Sequence, residues 1–332
     1  MSDDAATATP SMLDPRRIGG AVLRTTSRSA AWPLLILLCV FFALQSSSFL
    51  DPLNINIIFG QTVLIGVLAI GLTPLAISGN VDLSVGAIAA ISSVVAVLVQ
   101  AQLGFIPAIA AALVVAMAIG VINGLIVEKL GLNSIIVTLA MGTALHGLAF
   151  IVFGSNTILD KSFQFSELGY TQFFGVSLSV IIFLVIAILA AAMLRFTVQG
   201  VNTFAIGGHR QAALDAGINV ERHVLVNFAF SGFTAGVCGI LLVMSLGAGS
   251  ATLAKDYELW AIISVVLGGT RLMGGAGTVS GTIAAALSLT VLRNGMNLMK
   301  IDARWFLIAL GSALIVALIL DRVRSGEPET AE

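Results

Sequence analysis

Residues 62–100 read TVLIGVLAIGLTPLAISGNVDLSVGAIAAISSVVAVLVQ, and Asp82 is the only charged residue among them. A membrane-spanning helix needs about 20 mostly apolar residues, because the hydrocarbon core of a bilayer is about 30 Å thick. Apolar runs near that length, 56–78 and 84–101, lie on either side of the polar segment that contains Asp82. This segment is too short for a free loop and too polar to continue a helix. The stretch therefore predicts two membrane helices joined by a break at membrane depth.

The composition of the whole chain agrees with this stretch. Of its 332 residues, 58% are hydrophobic and 10% are charged, whereas soluble domains carry about 25% charged residues. So few charges cannot cover the apolar surface of a water-soluble fold of this size. The composition predicts an integral membrane protein in contact with lipid, and the net charge of −1 gives no reason to propose a nucleic-acid partner.

Apolar runs and their breaks predict an all-α integral membrane protein with about ten transmembrane helices and interrupted segments. The candidate spans are 31–49, 56–78, 84–101, 106–127, 133–153, 176–195, 223–247, 257–271, 277–296 and 304–320. The run 257–271 is short, so nine spans are also possible. We expect one transmembrane domain, 30–320, between disordered cytoplasmic tails at 1–29 and 321–332.

Basic residues indicate the orientation of the spans, because cytoplasmic segments carry an excess of Lys and Arg. With ten spans and both termini cytoplasmic, eleven basic residues lie inside and five lie outside. The inside set is Arg16, Arg17, Arg24, Arg28, Lys129, Arg195, Arg210, Arg222, Arg271, Arg322 and Arg324, and the outside set is Lys161, Lys255, Arg293, Lys300 and Arg304. The bias favours two cytoplasmic termini.

Small residues spaced by four indicate where membrane helices pack closely. Three Gly-x-x-x-Gly pairs occur, and they are Gly120 with Gly124, Gly232 with Gly236, and Gly277 with Gly281. We expect them to be ordinary helix contacts.

Two further stretches depart from a plain helix bundle. Leu267 to Gly277 contains five glycines and cannot form a stable helix. Arg195 to His223 is the longest internal hydrophilic stretch, and within it His209 to Ala216 is predicted to form two helical turns that end at Gly217. Its alanines at 212, 213 and 216 form a smooth face that another protein could approach closely, although a plain surface loop is the simpler alternative.

Asp82 has two open interpretations. Asp82 or Ser84 could cap the helix that starts there, or Asp82 could contact a transported ligand, since acids at membrane depth commonly face a cavity. His146, within the fifth span, is expected to be a hydrogen-bonded packing residue.

Several motifs are missing from the sequence. Gly-x-x-x-x-Gly-Lys-Ser/Thr does not occur, so the chain has no P-loop for ATP. His146, His209 and His223 are too scattered for a metal triad, and no nucleophile–base pattern is present. The sequence thus predicts no catalytic residue, no metal site and no cofactor. An ion-driven secondary carrier for a small polar solute is the alternative class, but intramembrane acids and bases are scarce.

The three polar stretches, taken in this order, resemble motifs of the permease subunits of bacterial ABC importers for monosaccharides, of the ribose/xylose/galactoside type. Gly79 to Gly86, Ala205 to Ile218 and Gly268 to Gly277 match the family's three signatures. Ser231-Gly232 and Asn294-Gly295 also fall where the family places such pairs. The likeness covers about residues 32 to 320. His209 stands for the usual Asn, Ala216 for the usual Ser and Arg271 for the usual Ser.

The resemblance implies a multi-pass protein of the bacterial inner membrane that works as a homodimer. It implies a periplasmic sugar-binding protein and cytoplasmic ABC ATPase subunits as partners, with ATP bound by the ATPase. The coupling segment would be about 197–222, and its candidate residues are Gly207, Gly208, His209, Arg210, Ala212, Ala213, Asp215 and Gly217. Candidate structural or path residues are Gly79, Asn80, Asp82, Ser84, Gly86, Gly268, Gly269, Thr270, Gly274, Gly275 and Asn294. The sugar itself stays open.

Overall fold

The structure is a computed structural model that describes residues 31–154, 156–302, 304–313 and 315. The predicted tails, 1–29 and 321–332, lie outside the described residues.

Helices dominate the described chain, as the apolar runs predict. In chain order they are α1 Ala31–Gln45, α2 Pro52–Ile77, α3 Val85–Leu103, α4 Phe105–Leu130, α5 Ser134–Phe153, α6 Gln164–Tyr170, α7 Leu178–Phe196, α8 Val198–Gly208, α9 Arg210–Asp215, α10 Val220–Leu246, α11 Tyr257–Leu267 and α12 Val279–Leu298. Residues 304–313 are also helical.

Six of the described helices, α2, α3, α4, α5, α7 and α10, are long and apolar enough to cross a membrane. Two other apolar helices are shorter, α1 with 15 residues and α11 with 11. All ten predicted segments contain helical residues. The chain is therefore a multi-pass membrane protein.

The few strands are short and lie in the connections. β1 (Ile158–Leu159) pairs antiparallel with β4 (Ala248–Gly249), and β2 (Gln172–Phe173) pairs antiparallel with β3 (Val176–Ser177). The first pair joins the connection that follows α5 to the one that follows α10. A backbone hydrogen bond of 2.8 Å from Asp160 to Gly247 extends it.

Helix α10 lies at the centre of the bundle and packs against α2, α3 and α4. It contacts α4 where the pair Gly120 and Gly124 of α4 meets the pair Gly232 and Gly236 of α10. A side chain at Gly232 would lie 2.5 Å from the carbonyl oxygen of Ala116, and one at Gly120 would clash with the carbonyl of Phe228. The expectation that Gly120-x-x-x-Gly124 and Gly232-x-x-x-Gly236 mark helix contacts is confirmed.

The α4–α10 contact gives the first testable prediction. Gly232→Ala is expected to lower the free energy of unfolding by about 1–3 kcal/mol, since overpacking a close contact costs this much. The control is Gly147→Ala in α5, where a Cβ meets nothing within 4 Å and where alanine favours the helix by up to about 1 kcal/mol. Unfolding in detergent micelles measures both. Equal stabilities for the two variants would contradict the close α4–α10 approach.

Candidate functional site

Three helices that precede the irregular segments end in the same way. Gly79, Gly217 and Gly269 have φ values of +82°, +80° and +88°. Gly79 follows the end of α2, Gly217 follows the end of α9, and Gly269 follows the end of α11. The two backbone hydrogen bonds of a Schellman motif close each end, for example Ile218 to Ala213 at 3.0 Å and Gly217 to Leu214 at 2.9 Å. The predicted stop at Gly217 is confirmed, and glycine is favoured at all three positions because they need a left-handed backbone.

The break between α2 and α3 is covered by protein. The backbone N–H of Val81 donates to Ser134 Oγ at 3.1 Å, and the N–H of Leu83 donates to Thr138 Oγ1 at 2.9 Å. Asn80 is buried beside them. Irregular backbone is tolerated at membrane depth only when its polar groups are satisfied in this way. Helix α5 thus supplies the partners that the break lacks.

Asp82 is fully buried and anchors a polar network between α3, α4 and α10. Its Oδ1 accepts hydrogen bonds from the Ser84 N–H at 2.9 Å and from Ser84 Oγ at 2.6 Å. Its Oδ2 accepts from Ser231 Oγ at 3.1 Å, while Asn123 Nδ2 donates to Ser84 Oγ at 2.8 Å. Asn123 belongs to this network although sequence reasoning did not select it, and Ser231 belongs to the pair Ser231-Gly232 that the family resemblance includes.

These hydrogen bonds test the prediction that Asp82 or Ser84 caps α3. Ser84 is the N-cap residue of α3, but its side chain makes no cap hydrogen bond, so a side-chain cap by Ser84 is wrong. The carboxylate of Asp82 binds the N–H of Ser84 itself, just before the first helical turn. Asp82 is thus a buried cross-link between helices in this conformation.

A second acid lies next to this break. Glu258, in the first turn of α11, is close enough to Gly86 that a side chain there would clash with its carboxylate. His146 Nδ1–H donates a 3.0 Å hydrogen bond to the Gly142 carbonyl oxygen, which agrees with a hydrogen-bonded packing role. The sequence held a signal for Glu258, because it is the acidic residue in the otherwise apolar run Tyr257 to Leu267. The sequence analysis did not select it.

The coupling segment contains one more helix than predicted. α8 ends with the glycine pair Gly207 and Gly208, and α9 follows it, with His209 between the two helices as the N-cap of α9. The Nδ1 of His209 accepts a 3.1 Å hydrogen bond from the Ala212 N–H. This is the acceptor role that makes Asn a good N-cap residue, so His209 supplies the same local interaction as the Asn usual at this position.

The faces of α9 differ from the expected smooth alanine face. Ala213 is 4% exposed and packs into the core, so its predicted place on the open face is wrong. Ala212, Leu214, Asp215 and Ala216 are exposed. Ala213 belongs to the same hydrophobic cluster as Val220 and Val224, so burial of its methyl group favours turning this side of α9 inward.

An ion pair joins α9 to the end of α4. Arg210 donates to both carboxylate oxygens of Glu128, at 3.2 Å and 2.6 Å. The Glu128 side chain is 4% exposed, whereas the Arg210 side chain is 51% exposed. A bidentate pair of this kind adds a defined geometry. It therefore holds the orientation of α9 relative to the membrane helices.

Gly207 is the point where all three irregular segments meet. The Gly275 N–H donates a 2.9 Å hydrogen bond to the Ile77 carbonyl, and Gly207 packs directly on this bond. A side chain at Gly207 would overlap the Ile77 oxygen and would lie 2.6 Å from the Gly275 nitrogen. A side chain at Gly274, whose φ is +92°, would lie 2.8 Å from the Cα of Gly207. We call Ile77, Gly207, Gly274 and Gly275 the glycine junction.

The glycine-rich segment continues this close packing towards α12. A side chain at Gly268 would lie 2.6 Å from the Gly281 carbonyl carbon, and one at Gly277 would lie 2.6 Å from Thr270 Oγ1. Thr270 is fully buried. Gly208, in contrast, has no atom within 4 Å of the position of a side chain.

Asn294 lies far from the glycine junction. It exchanges two hydrogen bonds with Asn54, at 3.0 Å and 2.8 Å, and so ties α12 to the beginning of α2. Ile77 lies 23 residues after Asn54 on α2, which is about 35 Å along the helix. Asn294 and the junction therefore occupy opposite ends of the molecule.

The comparisons with known proteins agree on one family. The model of the family described as "Branched-chain amino acid transport system / permease component" matches residues 54–318. The chain is 32% identical to the L-arabinose ABC transporter permease protein of Azospirillum brasilense, over 98% of this chain and 95% of the relative. It is 34% identical to the ribose import permease protein of Bacillus subtilis, over 88% of this chain and 91% of the relative.

A third relative is the D-allose transport system permease protein of Escherichia coli, which is 31% identical over 88% of this chain and 90% of the relative. No solved structure matches the chain.

The Asp82 network gives the second prediction. Asp82→Asn should lower the free energy of unfolding by no more than about 2 kcal/mol, because the amide oxygen keeps the Ser84 donors and its NH₂ can donate to the Ser231 hydroxyl. Asp82→Ala should cost about 3 kcal/mol or more, since it leaves buried donors unsatisfied. Unfolding in detergent micelles compares them. Equal loss of stability in both variants would contradict this account, because it would show that the negative charge of Asp82, rather than its hydrogen-bond geometry, stabilises the network.

Proposed function

Since the chain belongs to the family of permease components of the branched-chain amino acid transport system type, we propose that it is the membrane subunit of an ATP-driven importer for a monosaccharide. The relatives described above are named for L-arabinose, ribose and D-allose, which favours a sugar over an amino acid. The observation that carries the proposal is the contact of the coupling segment with both broken helices at Gly207. This contact links a surface helix to two segments within the bundle.

The chain hydrolyses no ATP in this proposal. Separate cytoplasmic ATPase subunits bind the exposed face of α9, which presents Ala212, Leu214 and Ala216. Movement of α9 passes through Gly207 to the end of α2 and to the segment Gly268 to Gly277. Direct backbone contact transmits such a displacement because no flexible side chain lies between the segments.

The proposed topology has ten spans with both termini in the cytoplasm of a bacterial cell. Helix α9 then lies on the cytoplasmic side of the inner membrane, and Asn54 and Asn294 lie towards the periplasm. The positive-inside bias supports this orientation. A second copy of the chain completes the path, and a periplasmic binding protein delivers the sugar to its outer end.

The docking face of α9 gives the third prediction. Leu214 is 46% exposed, so Leu214→Asp should leave the fold stable to within about 0.5 kcal/mol while the ATPase no longer co-purifies. Ala213→Asp buries a charge and should lower the thermal stability of the chain itself. The measurement is a mild-detergent purification from native membranes, with mass spectrometry of the bound proteins and a thermal melt of each variant.

The matched control for this experiment is Asn219→Asp. Asn219 is an exposed N-cap residue of α10, and Asp is an equally good cap, so the same charge is added beside α9 without changing its face. The control should keep the ATPase. A wild-type chain that co-purifies with no ATPase and transports sugar into ATP-free vesicles would contradict the proposal and favour an ion-driven carrier.

A further inference from the structure

A cavity of about 540 Å³ lies at the end of the molecule opposite the glycine junction. It is formed by the first turns of α2, the last turns of α12, Trp260, residues 301–302 and residues 304–307. Its volume is in the range of about 300–1,000 Å³ that is usual for small-molecule sites. Nothing in the coupling mechanism described above uses this cavity.

Four side-chain amides line the cavity, and they come in two pairs. Asn54 and Gln61 are seven residues apart on α2, while Asn294 and Asn297 are three residues apart on α12. These spacings put each pair on one face of its helix. An amide has both donors and an acceptor, and a sugar hydroxyl is also both donor and acceptor.

The four amides differ in burial and in hydrogen bonding. Asn54 and Asn294 are buried and bind each other, so they form a fixed wall. Gln61 and Asn297 are exposed, and within the described part of the chain their side chains make no hydrogen bond. Two unused amides therefore face an open cavity from two different helices.

The charged groups around the cavity are largely compensated. Arg304 binds Asp302 through its Nη2 at 2.6 Å and its Nε at 3.0 Å, and this hydrogen bonding lowers the pKa of the Asp302 carboxyl. The Arg293 guanidinium lies 5.0 Å from the centre of the Trp260 ring. Trp260 and Phe306 form an aromatic part of the cavity wall, and their ring centres are 4.5 Å apart. With Asp302 and Arg304 paired and Arg293 placed against the Trp260 ring, the polar groups left to bind a ligand are mainly amides, which suit a neutral polar ligand.

We propose that this cavity is a low-affinity subsite for a neutral monosaccharide, with Gln61 and Asn297 as the residues that bind its hydroxyl groups. The choice of a sugar rests on the proposed function; the location and polarity of the site come from the cavity itself. A sugar released at the outer end of the path would occupy it before transport. Weak binding suits such a role because the ligand must leave again.

The test uses the full chain in lipid nanodiscs without partners. Saturation-transfer difference NMR probes D-ribose, L-arabinose and D-allose, with D-gluconate as the anionic and L-leucine as the amino-acid comparison. We expect signal for at least one of the sugars and a weaker signal for both comparison ligands. Gln61→Leu and Asn297→Leu should each weaken binding about tenfold, the effect of losing one or two hydrogen bonds to a hydroxyl group.

The control variant is Asn56→Leu, an exposed amide on α2 that does not line the cavity, and it should bind like the wild type. The subsite is overturned if no sugar gives a signal, if gluconate or leucine binds best, or if Gln61→Leu and Asn297→Leu bind like Asn56→Leu. ATP-driven sugar uptake by the assembled importer is measured separately. Uptake without binding to the isolated chain would remove the subsite and leave the proposed function intact.

Discussion

The arrangement of this protein depends on direct backbone contact at the glycine junction. A hydrogen bond between Gly275 and Ile77 joins the glycine-rich segment to the end of α2, and Gly207 packs on that bond with no room for a side chain. Close packing of small residues is the main means by which helices associate in lipid. Here it joins a surface helix to two broken helices that are distant in sequence. A displacement of the last turn of α8, which contains Gly207 and directly precedes α9, would therefore be shared by both breaks or would open the junction.

Broken helices at membrane depth need partners for their free backbone groups, and this protein supplies them from neighbouring helices. Ser134 and Thr138 of α5 bind the backbone of the first break, and Asp82 gathers the hydroxyls of Ser84 and Ser231. Buried polar groups that are satisfied rigidify their surroundings. The breaks are thus defined structures, able to transmit movement, and the reciprocal amide bonds of Asn54 and Asn294 fix α2 to α12 at the other end.

Much of this could be predicted from the sequence, because glycine and polar residues in apolar runs leave a local signal. The positions of both breaks, the helix end at Gly217 and the presence of a close helix contact at Gly232 follow from such signals. Contacts between residues that are distant in sequence leave no such local signal. The orientation of α9 depends on the pair Arg210 and Glu128, 82 residues apart, and the amide pair joins residues 240 apart. For this reason the inward position of Ala213 and the role of Asn54 were not predictable, and α8 was missed because its sequence is neither long nor strongly apolar.

The central claim is that the glycine junction carries the movement of the coupling segment, and adjacent glycines test it directly. A side chain at Gly207 overlaps the junction, whereas one at Gly208 meets nothing within 4 Å. The measurement is ATP-driven sugar uptake into proteoliposomes that contain the chain with its ATPase and binding protein. We predict that Gly207→Ala retains the bound ATPase but loses most uptake, while Gly208→Ala transports like the wild type. Uptake at the wild-type rate by Gly207→Ala would contradict the account.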